Sequence, residues 1–417
     1  MSNPVEMRQP VETPGVGGLG RLLASTGVSI AGQGMVLAAV PLLAASLTRN
    51  PVGVSLTVAA GYAAWLAVGL PAGALVDRWP RRRTMVLADV ARAMLLAGLA
   101  IAVALDVASL LMLVLVVFAI GVASCFFDPA AQAAIPQVVG REPGVLARAN
   151  SRLWSLDLVG RSLIGPPLGA ALFALAMVLP FAGNALTFVV SALLLAGLGG
   201  IDRAEGRSAV PAGVGASMRE GVRFLWRHRE LRALTLGMAS FNLTYNIAFA
   251  PLVLFAQERL HLGDRGFGLL LAMIAIGGLL GAWLSPRIQR RVTSTHAYAF
   301  GLLAQGIAWG AMWLWPSRWL AGAALVLIGL ASMAVTVIGA SARQVLTPDD
   351  LLGRVSAGTR TLGLGSAGAG ALLGGLAGSM AGLGAPLVIA LVSALVSSAF
   401  FFGIRHSGRS RPQVRPS

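Results

Sequence analysis

Few side chains here could do chemistry, and most of those sit inside apolar runs. Asp89 and Arg92 stand three apart in one run, and Asp157 and Arg161 stand four apart in another. Asp128-Pro129 closes a stretch of small and aromatic residues, Ser124-Cys-Phe-Phe. An ionisable group inside hydrocarbon costs at least ~2.5–3.5 kcal/mol on insertion scales, so each needs a partner or a task. Asp89 and Arg92 read as a local ion pair that neutralises itself. Proline at 129 frees a carbonyl and bends a helix, which opens room around Asp128. A proton carrier needs that setting: buried enough to hold a proton, wet enough to exchange it. A structural acid that caps broken backbone or pairs with an arginine fits the same residues. Asp157 and Arg161 also admit two readings. They are a plain ion pair, or a pair that opens on protonation and couples proton entry to cargo release.

Uncharged polar groups are the candidates for touching cargo. Ser29 and Gln33 lie in the first apolar run, Gln132 one turn beyond Asp128, and Asn242, Thr244, Tyr245 and Asn246 in the seventh run. Amides and hydroxyls donate and accept without carrying charge, but they also hold helices together. Nothing resembles a catalytic centre. The histidines (His228, His261, His296, His406) are scattered, and one cysteine, Cys125, rules out an intrachain disulfide or a multi-cysteine metal site. No enzyme activity, metal or cofactor is expected. The glycine run Gly363-x-Gly365-x-x-Gly368-x-Gly370 lies inside an apolar span of a chain without lysine, so it is a packing surface and not a phosphate loop.

The elements that position these residues follow from composition. Of 417 residues, 56% are hydrophobic and only 12% charged, with a mean hydropathy of +0.78. Soluble domains carry about a quarter charged residues, so the chain is an all-α membrane protein. Apolar spans fall near 21–47, 54–76, 84–105, 108–127, 153–178 and 180–199, then near 233–256, 266–286, 296–315, 319–341, 361–382 and 385–404. Twelve spans put both termini on one side, together with the arginine-rich turn at 77–83, the 140–152 loop, the connector and the C-terminal tail. The opposite loops hold only Arg49, Arg259, Arg265 and Arg318. The net charge of +16 is thus a positive-inside bias and not a nucleic-acid surface. The arginine-rich side is cytoplasmic.

Residues 1–20 form a cytoplasmic tail without the apolar core of a cleaved signal peptide. Residues 21–200 and 232–404 form two six-helix bundles, 201–231 a cytoplasmic connector, and 405–417 a basic tail. Within the connector, Val222, Leu225 and Trp226 share one side of a helix and Arg219, Arg223 and Arg227 another. That pattern suits a helix lying on an anionic leaflet, or a solvated linker.

An internal repeat supports two halves. Pro41 finds Pro251, Gly73 finds Gly281, Arg82-Arg83 find Arg290-Arg291, Gln132 and Pro136 find Gln344 and Pro348, and Gly169 finds Gly375. All lie at offsets of 206 to 212 residues. Such parallel repeats imply pseudo-symmetric bundles with a cargo site between them near mid-membrane.

The turn after the second span reads Gly73-Ala-Leu-Val-Asp77-Arg78-Trp-Pro80-Arg81-Arg82. It resembles the signature of the major facilitator superfamily, Gly-x-x-x-Asp-Arg-x-Gly-Arg/Lys-Arg/Lys, with Pro80 where the family prefers glycine. In that family the aspartate is thought to clasp the neighbouring half and bias the outward-facing state, a role the resemblance gives to Asp77. Its repeat mate is Ser285, so gating is expected to be lopsided. Gly160, Gly165, Pro166 and Gly169 resemble the superfamily's antiporter motif, with Ala170 in place of its last glycine. Phe127-Asp-Pro-Ala-Ala-Gln-Ala-Ala-Ile-Pro136, Ala147-Arg-Ala-Asn150 and Gly165-Pro166 are similar to the enterobactin-exporter and macrolide-efflux branch.

The resemblance implies the major facilitator fold and secondary active transport. The expected function is proton-coupled export of a small organic molecule such as a drug or siderophore, by a monomer in a bacterial inner membrane. Its partners are then cargo, protons and membrane lipid, and not nucleic acid. An uptake symporter of the same fold is the alternative, against which the scarcity of tyrosine weighs.

Overall fold

The computed structural model describes residues 16–76, 78–139, 142–197 and 214–404. Helices α1 (Val16–Leu47), α2 (Pro51–Val76), α3 (Arg81–Ala104) and α4 (Leu110–Val139) form the first four spans. The fifth runs end to end through α5 (Pro143–Leu156), a π-helical segment (Asp157–Ile164) and α6 (Gly165–Leu175), and α7 (Leu179–Ala196) is the sixth. In the connector lies α8 (Val214–Arg227). The remaining spans are α9 (Arg229–Phe249) with α10 (Leu252–Glu258), α11 (Asp264–Arg291), α12 (Ser294–Leu314), α13 (Arg318–Leu346), α14 (Asp349–Ala381) and α15 (Ala385–Gly403). Twelve helical stretches are long and apolar enough to cross a membrane, and no strand occurs among the described residues.

Several helices overrun the apolar spans at their arginine-rich ends. α4 continues to Val139, whereas its apolar reading stops near 127, and α14 starts at Asp349 and not near 361. Hydropathy marks where hydrocarbon ends, not where backbone pairing ends, and alanine-rich segments such as 130–134 carry the helix onward. The repeat-matched prolines behave differently. Pro41 lies within α1, while Pro251 falls in the break between α9 and α10.

The chain divides into two compact units, Met1–Val210 with Val253–Ala275, and Pro211–Leu252 with Ile276–Ser417. Their internal pairings match. In the first, α1 packs on α6 and α7, and α3 on α4 and α7. In the second, α9 packs on α14 and α15, and α12 on α13 and α15. Each helix of one set has its repeat mate in the other, as duplicated bundles require. Each unit has its own apolar centre, with Leu22, Met85, Phe127 and Leu195 in one and Leu234, Phe241, Leu302 and Phe401 in the other.

Polarity along α3 is inverted relative to a soluble helix. Leu87, Met94 and Ile101 recur every seven residues and are exposed, while Asp89 and Arg92 are buried. The exposed stripe suits lipid, and the charges point inward. Small residues set the closest helix approaches. Gly277 and Gly281 lie against the Val326 and Leu330 carbonyls of α13, and Gly370 and Gly374 against the Leu243 and Ile247 carbonyls of α9. Part of the α14 glycine run thus packs helix on helix, as read from the sequence.

Candidate functional site

Tight turning after α2 places the arginines of the signature. Arg78 and Trp79 N–H groups return to the Leu75 carbonyl, and Pro80 precedes the first turn of α3. Arg81 Nη1 donates to the Ala133 carbonyl of α4 at 2.9 Å, and Arg82 Nη1 to the Ala196 carbonyl at the end of α7 at 3.3 Å. Arg21 from α1 donates to the neighbouring Gly197 carbonyl at 3.0 Å. The carbonyls of Ala196 and Gly197, at the end of α7, lack helical partners of their own and carry partial negative charge, whereas Ala133 lies inside α4. These guanidiniums therefore tie α1, α3, α4 and α7 together at one end. Trp79 stacks on Phe126 of α4, ring centroids 5.8 Å apart. Arg78 is exposed. Asp77 lies outside the described residues. A side chain at Gly73 would meet no atom within 4 Å, so this glycine seats no neighbour in the conformation seen.

The antiporter-type motif builds a glycine seam. Gly160 lies against Ile30 and Ala31 of α1, Gly165 against Gly34, and Gly169 against the Met35 backbone. The segment just before α6 is π-helical, with the Gly165 N–H bonded to the Gly160 carbonyl. Pro166 and Pro167 withdraw the two N–H groups that would hold the Ser162 and Leu163 carbonyls in an α ladder. The wider register falls beside that gap, and π turns of this kind are frequent at functional sites. Asp157 opens the segment and forms an ion pair with Arg161, Nε lying 2.8 Å from Asp157 Oδ1, each side chain about a third exposed at 35%. In the same unit, Gly268 of α11 rests on the Pro166 carbonyl, Pro167 and Ala170, and Arg49 donates to Gln257 Oε1 at 2.7 Å. Neither contact was legible beforehand, because each joins residues about a hundred or more positions apart.

Asp89 and Arg92 do form an ion pair, but a deeply buried one. Ser191 of α7 donates to the other Asp89 oxygen at 2.7 Å. Asp128 follows Phe127 on α4, half-buried, within electrostatic reach of both Asp89 and Arg92. α4 stays helical through Pro129.

The polar cargo candidates divide. Ser29, Thr244 and Asn246 are buried. Gln33 donates to Ser29 at 3.1 Å, Asn246 to the Asn242 carbonyl at 2.9 Å, and Thr244 pairs with Gln305 of α12. The Thr244–Gln305 bond joins two helices, whereas the other two bonds lie within α1 and within α9. Gln33, Asn242 and Tyr245 keep partial exposure, Tyr245 stacks on Phe249 at 4.9 Å, and Gln132 is exposed. No cluster of three or more His, Cys, Asp or Glu residues able to hold a metal occurs among the described residues.

α8 forms as its amphipathic pattern requires, but one apolar residue faces protein. Leu225 is buried against Leu231, Leu351 and Val355, and Glu220 accepts from Arg354 at 2.8 Å. Val222 and Trp226 remain exposed beside Arg223 and Arg227.

Comparison with known proteins places this architecture. The model of the Major Facilitator Superfamily matches residues 22–359. The multidrug efflux pump Tap of Mycolicibacterium fortuitum is 29% identical over 346 residues, covering 78% of this chain and 80% of that protein. Tap of Mycobacterium tuberculosis is 30% identical over 310 residues, 69% of this chain and 70% of its own. The enterobactin exporter EntS of Escherichia coli is 28% identical over 339 residues, 79% and 77%. In fold, the chain resembles a bacterial homologue of the iron transporter ferroportin in its inward-facing state, with TM-score 0.71 at 18% identity over 92% of this chain and 97% of the other. The chain is a multi-pass membrane transporter and belongs to the Major Facilitator Superfamily.

Proposed function

We propose that this transporter exports small organic molecules in exchange for protons, as a monomer in a bacterial inner membrane with both termini cytoplasmic. Export is supported by the efflux and exporter roles in the names of its relatives, Tap and EntS. Drug-like compounds and siderophores are the cargo classes those names suggest. Orientation is supported by the arginine bias between the two sets of loops.

Proton coupling is carried by one observation. The intramembrane carboxylates Asp89, Asp128 and Asp157 all lie in the first unit, on α3, α4 and the π segment, each within reach of an arginine. A carboxylate at such depth changes the charge of the bundle when it takes a proton. In this reading Gln33, Asn242 and Tyr245 meet cargo, and Asp77 with its arginines latches the cytoplasmic end. Exposed Val222, Trp226, Arg223 and Arg227 of α8 rest on anionic lipid headgroups.

Inside-out membrane vesicles containing the full chain test the reading. With an imposed pH gradient and ethidium as probe, dye should accumulate against its gradient, and an uncoupler should stop it. Accumulation that survives collapse of the gradient rules out proton coupling.

A further inference from the structure

Exposed aromatic side chains are divided very unequally between the two units. Nine phenylalanines and tryptophans are exposed among the described residues, and eight of them belong to the second unit. The ninth, Trp79, is stacked on Phe126 of its own unit. At the arginine-poor end, the hairpin from α12 to α13 carries Trp313, Trp315 and Trp319, the last two 66% and 78% exposed. The Arg318 guanidinium lies 5.4 Å from the Trp319 ring centre. At the arginine-rich end stand Trp283 of α11, Phe300 of α12, Phe400 and Phe402 of α15, and Trp226 of α8. Arg287 lies 4.4 Å over Trp283, and Phe300 meets Phe402 edge to face at 4.9 Å.

α12 links the two groups. Its exposed stripe of Phe300, Ile307 and Leu314 recurs every seven residues and runs from one aromatic group to the other. The helix has 21 residues, which at 1.5 Å each span about the 30 Å of a hydrocarbon core. An indole has an apolar body and one polar edge, so it settles where hydrocarbon meets headgroups and resists movement either way. Arginines set against two of the indoles suit the phosphates found at that depth. The arginine-poor rim of the first unit is built differently. Its exposed large side chains are Leu105, Val107, Leu111, Leu175, Met177 and Leu179, none of them aromatic. Such side chains have no polar edge and sit equally well anywhere within hydrocarbon.

We propose that the headgroup layers of both leaflets hold the second unit through this double aromatic belt, and that the first unit is the one free to change its depth in the bilayer. The binding surface is the belt, and its partner is phospholipid. Asp89, Asp128 and Asp157 then lie in the mobile body and the amphipathic α8 on the fixed one. The inference stands apart from proton coupling. Dye transport that ignores the pH gradient would remove coupled export and leave the belt in place.

Depth can be read with a spin label on the full chain, one copy per nanodisc, in phosphatidylcholine of short, medium and long acyl chains. In a Cys125→Ser background, Ser317→Cys reports the tryptophan hairpin and Val107→Cys the rim of the first unit. The ratio of oxygen to nickel-chelate collisions rises as a label sinks below the headgroups. It should stay constant at 317 as the bilayer thickens and rise steadily at 107, because only the belt forces the bilayer to adapt to the protein. Adding Trp315→Leu and Trp319→Leu, both at exposed positions, should make 317 follow thickness as 107 does. Trp319→Leu alone should give a smaller shift in the same direction, and both variants should melt in detergent at the parent temperature. A ratio at 317 that follows thickness in the parent overturns the belt. Constant ratios at both positions, or a ratio at 317 that stays fixed without its tryptophans, overturn it equally. A depth at 317 held only when several copies share a disc assigns the surface to a second copy and not to lipid.

Discussion

Gly34 on α1 and Gly165 at the head of α6 meet backbone against backbone, and a Cβ on Gly165 would stand 2.5 Å from the Gly34 Cα and 2.6 Å from the Gly160 carbonyl oxygen. None of those atoms belongs to a flexible side chain, so a methyl group there must push helices apart. Overpacking of this kind costs ~1–3 kcal/mol. Gly165→Ala should therefore lower the melting temperature of the detergent-solubilised protein and reduce transport together. Melting at the wild-type temperature would mean the seam is looser than the geometry indicates.

Gly73 predicts the opposite pattern. Its Cβ position is open and it lies in α2, where alanine is favoured over glycine by ~1 kcal/mol. Gly73→Ala should melt no lower than wild type, yet transport more slowly, because the latch role requires close approach in another conformation. Gly98→Ala on α3, also open, is the matched control and should transport normally. Equal transport by both variants would remove the latch role from Gly73.

How much was legible beforehand depends on the range of the interaction. Twelve spans could be read because each needs ~20 apolar residues in a row, and the glycine seam because its spacing is local. The π register could not, since hydropathy does not distinguish it from an α turn. Arg92 read as half of a short-range pair with Asp89, which it is. Phe188 and Ser191, which complete its surroundings, lie about a hundred residues away and share no pattern with it. Thr244 read as a cargo candidate together with its polar neighbours Asn242, Tyr245 and Asn246, and nothing local to that stretch signals Gln305 opposite.

Asp157 and Arg161 are intermediate between an exposed pair, worth up to ~1 kcal/mol, and a buried one, where losing a partner costs ~3–5 kcal/mol. Asp157→Asn should destabilise the protein within those bounds, and Asp157→Asn with Arg161→Gln should recover part of the loss. If the pair only holds the π segment together, the double variant should also regain proton-driven dye transport in vesicles. Stability without transport would assign the pair to coupling.

Arg81 ties the first turn of α3 to the Ala133 carbonyl of α4. A hydrogen bond to a charged group contributes ~1.5–3 kcal/mol, enough to change local opening roughly tenfold or more. Arg81→Ala should speed hydrogen exchange in the 133–138 stretch of α4 while leaving α12 and α15 unchanged. Uniform exchange in that stretch before and after the substitution would show that α4 is held there by packing alone.

Two contacts fix α8 to the start of α14, and their energies should be unequal. Leu225 is buried among Leu231, Leu351 and Val355, whereas Glu220 and Arg354 meet at the surface with side chains 64% and 37% exposed. Truncating a buried leucine costs ~2–5 kcal/mol, and an exposed ion pair contributes ~1 kcal/mol at most. Leu225→Ala should release α8 and make the connector much more sensitive to protease, while Glu220→Gln should change cleavage less than about fivefold. If Glu220→Gln proves the more sensitive, charge and not burial docks the helix, and salt should then loosen the wild type to the same degree.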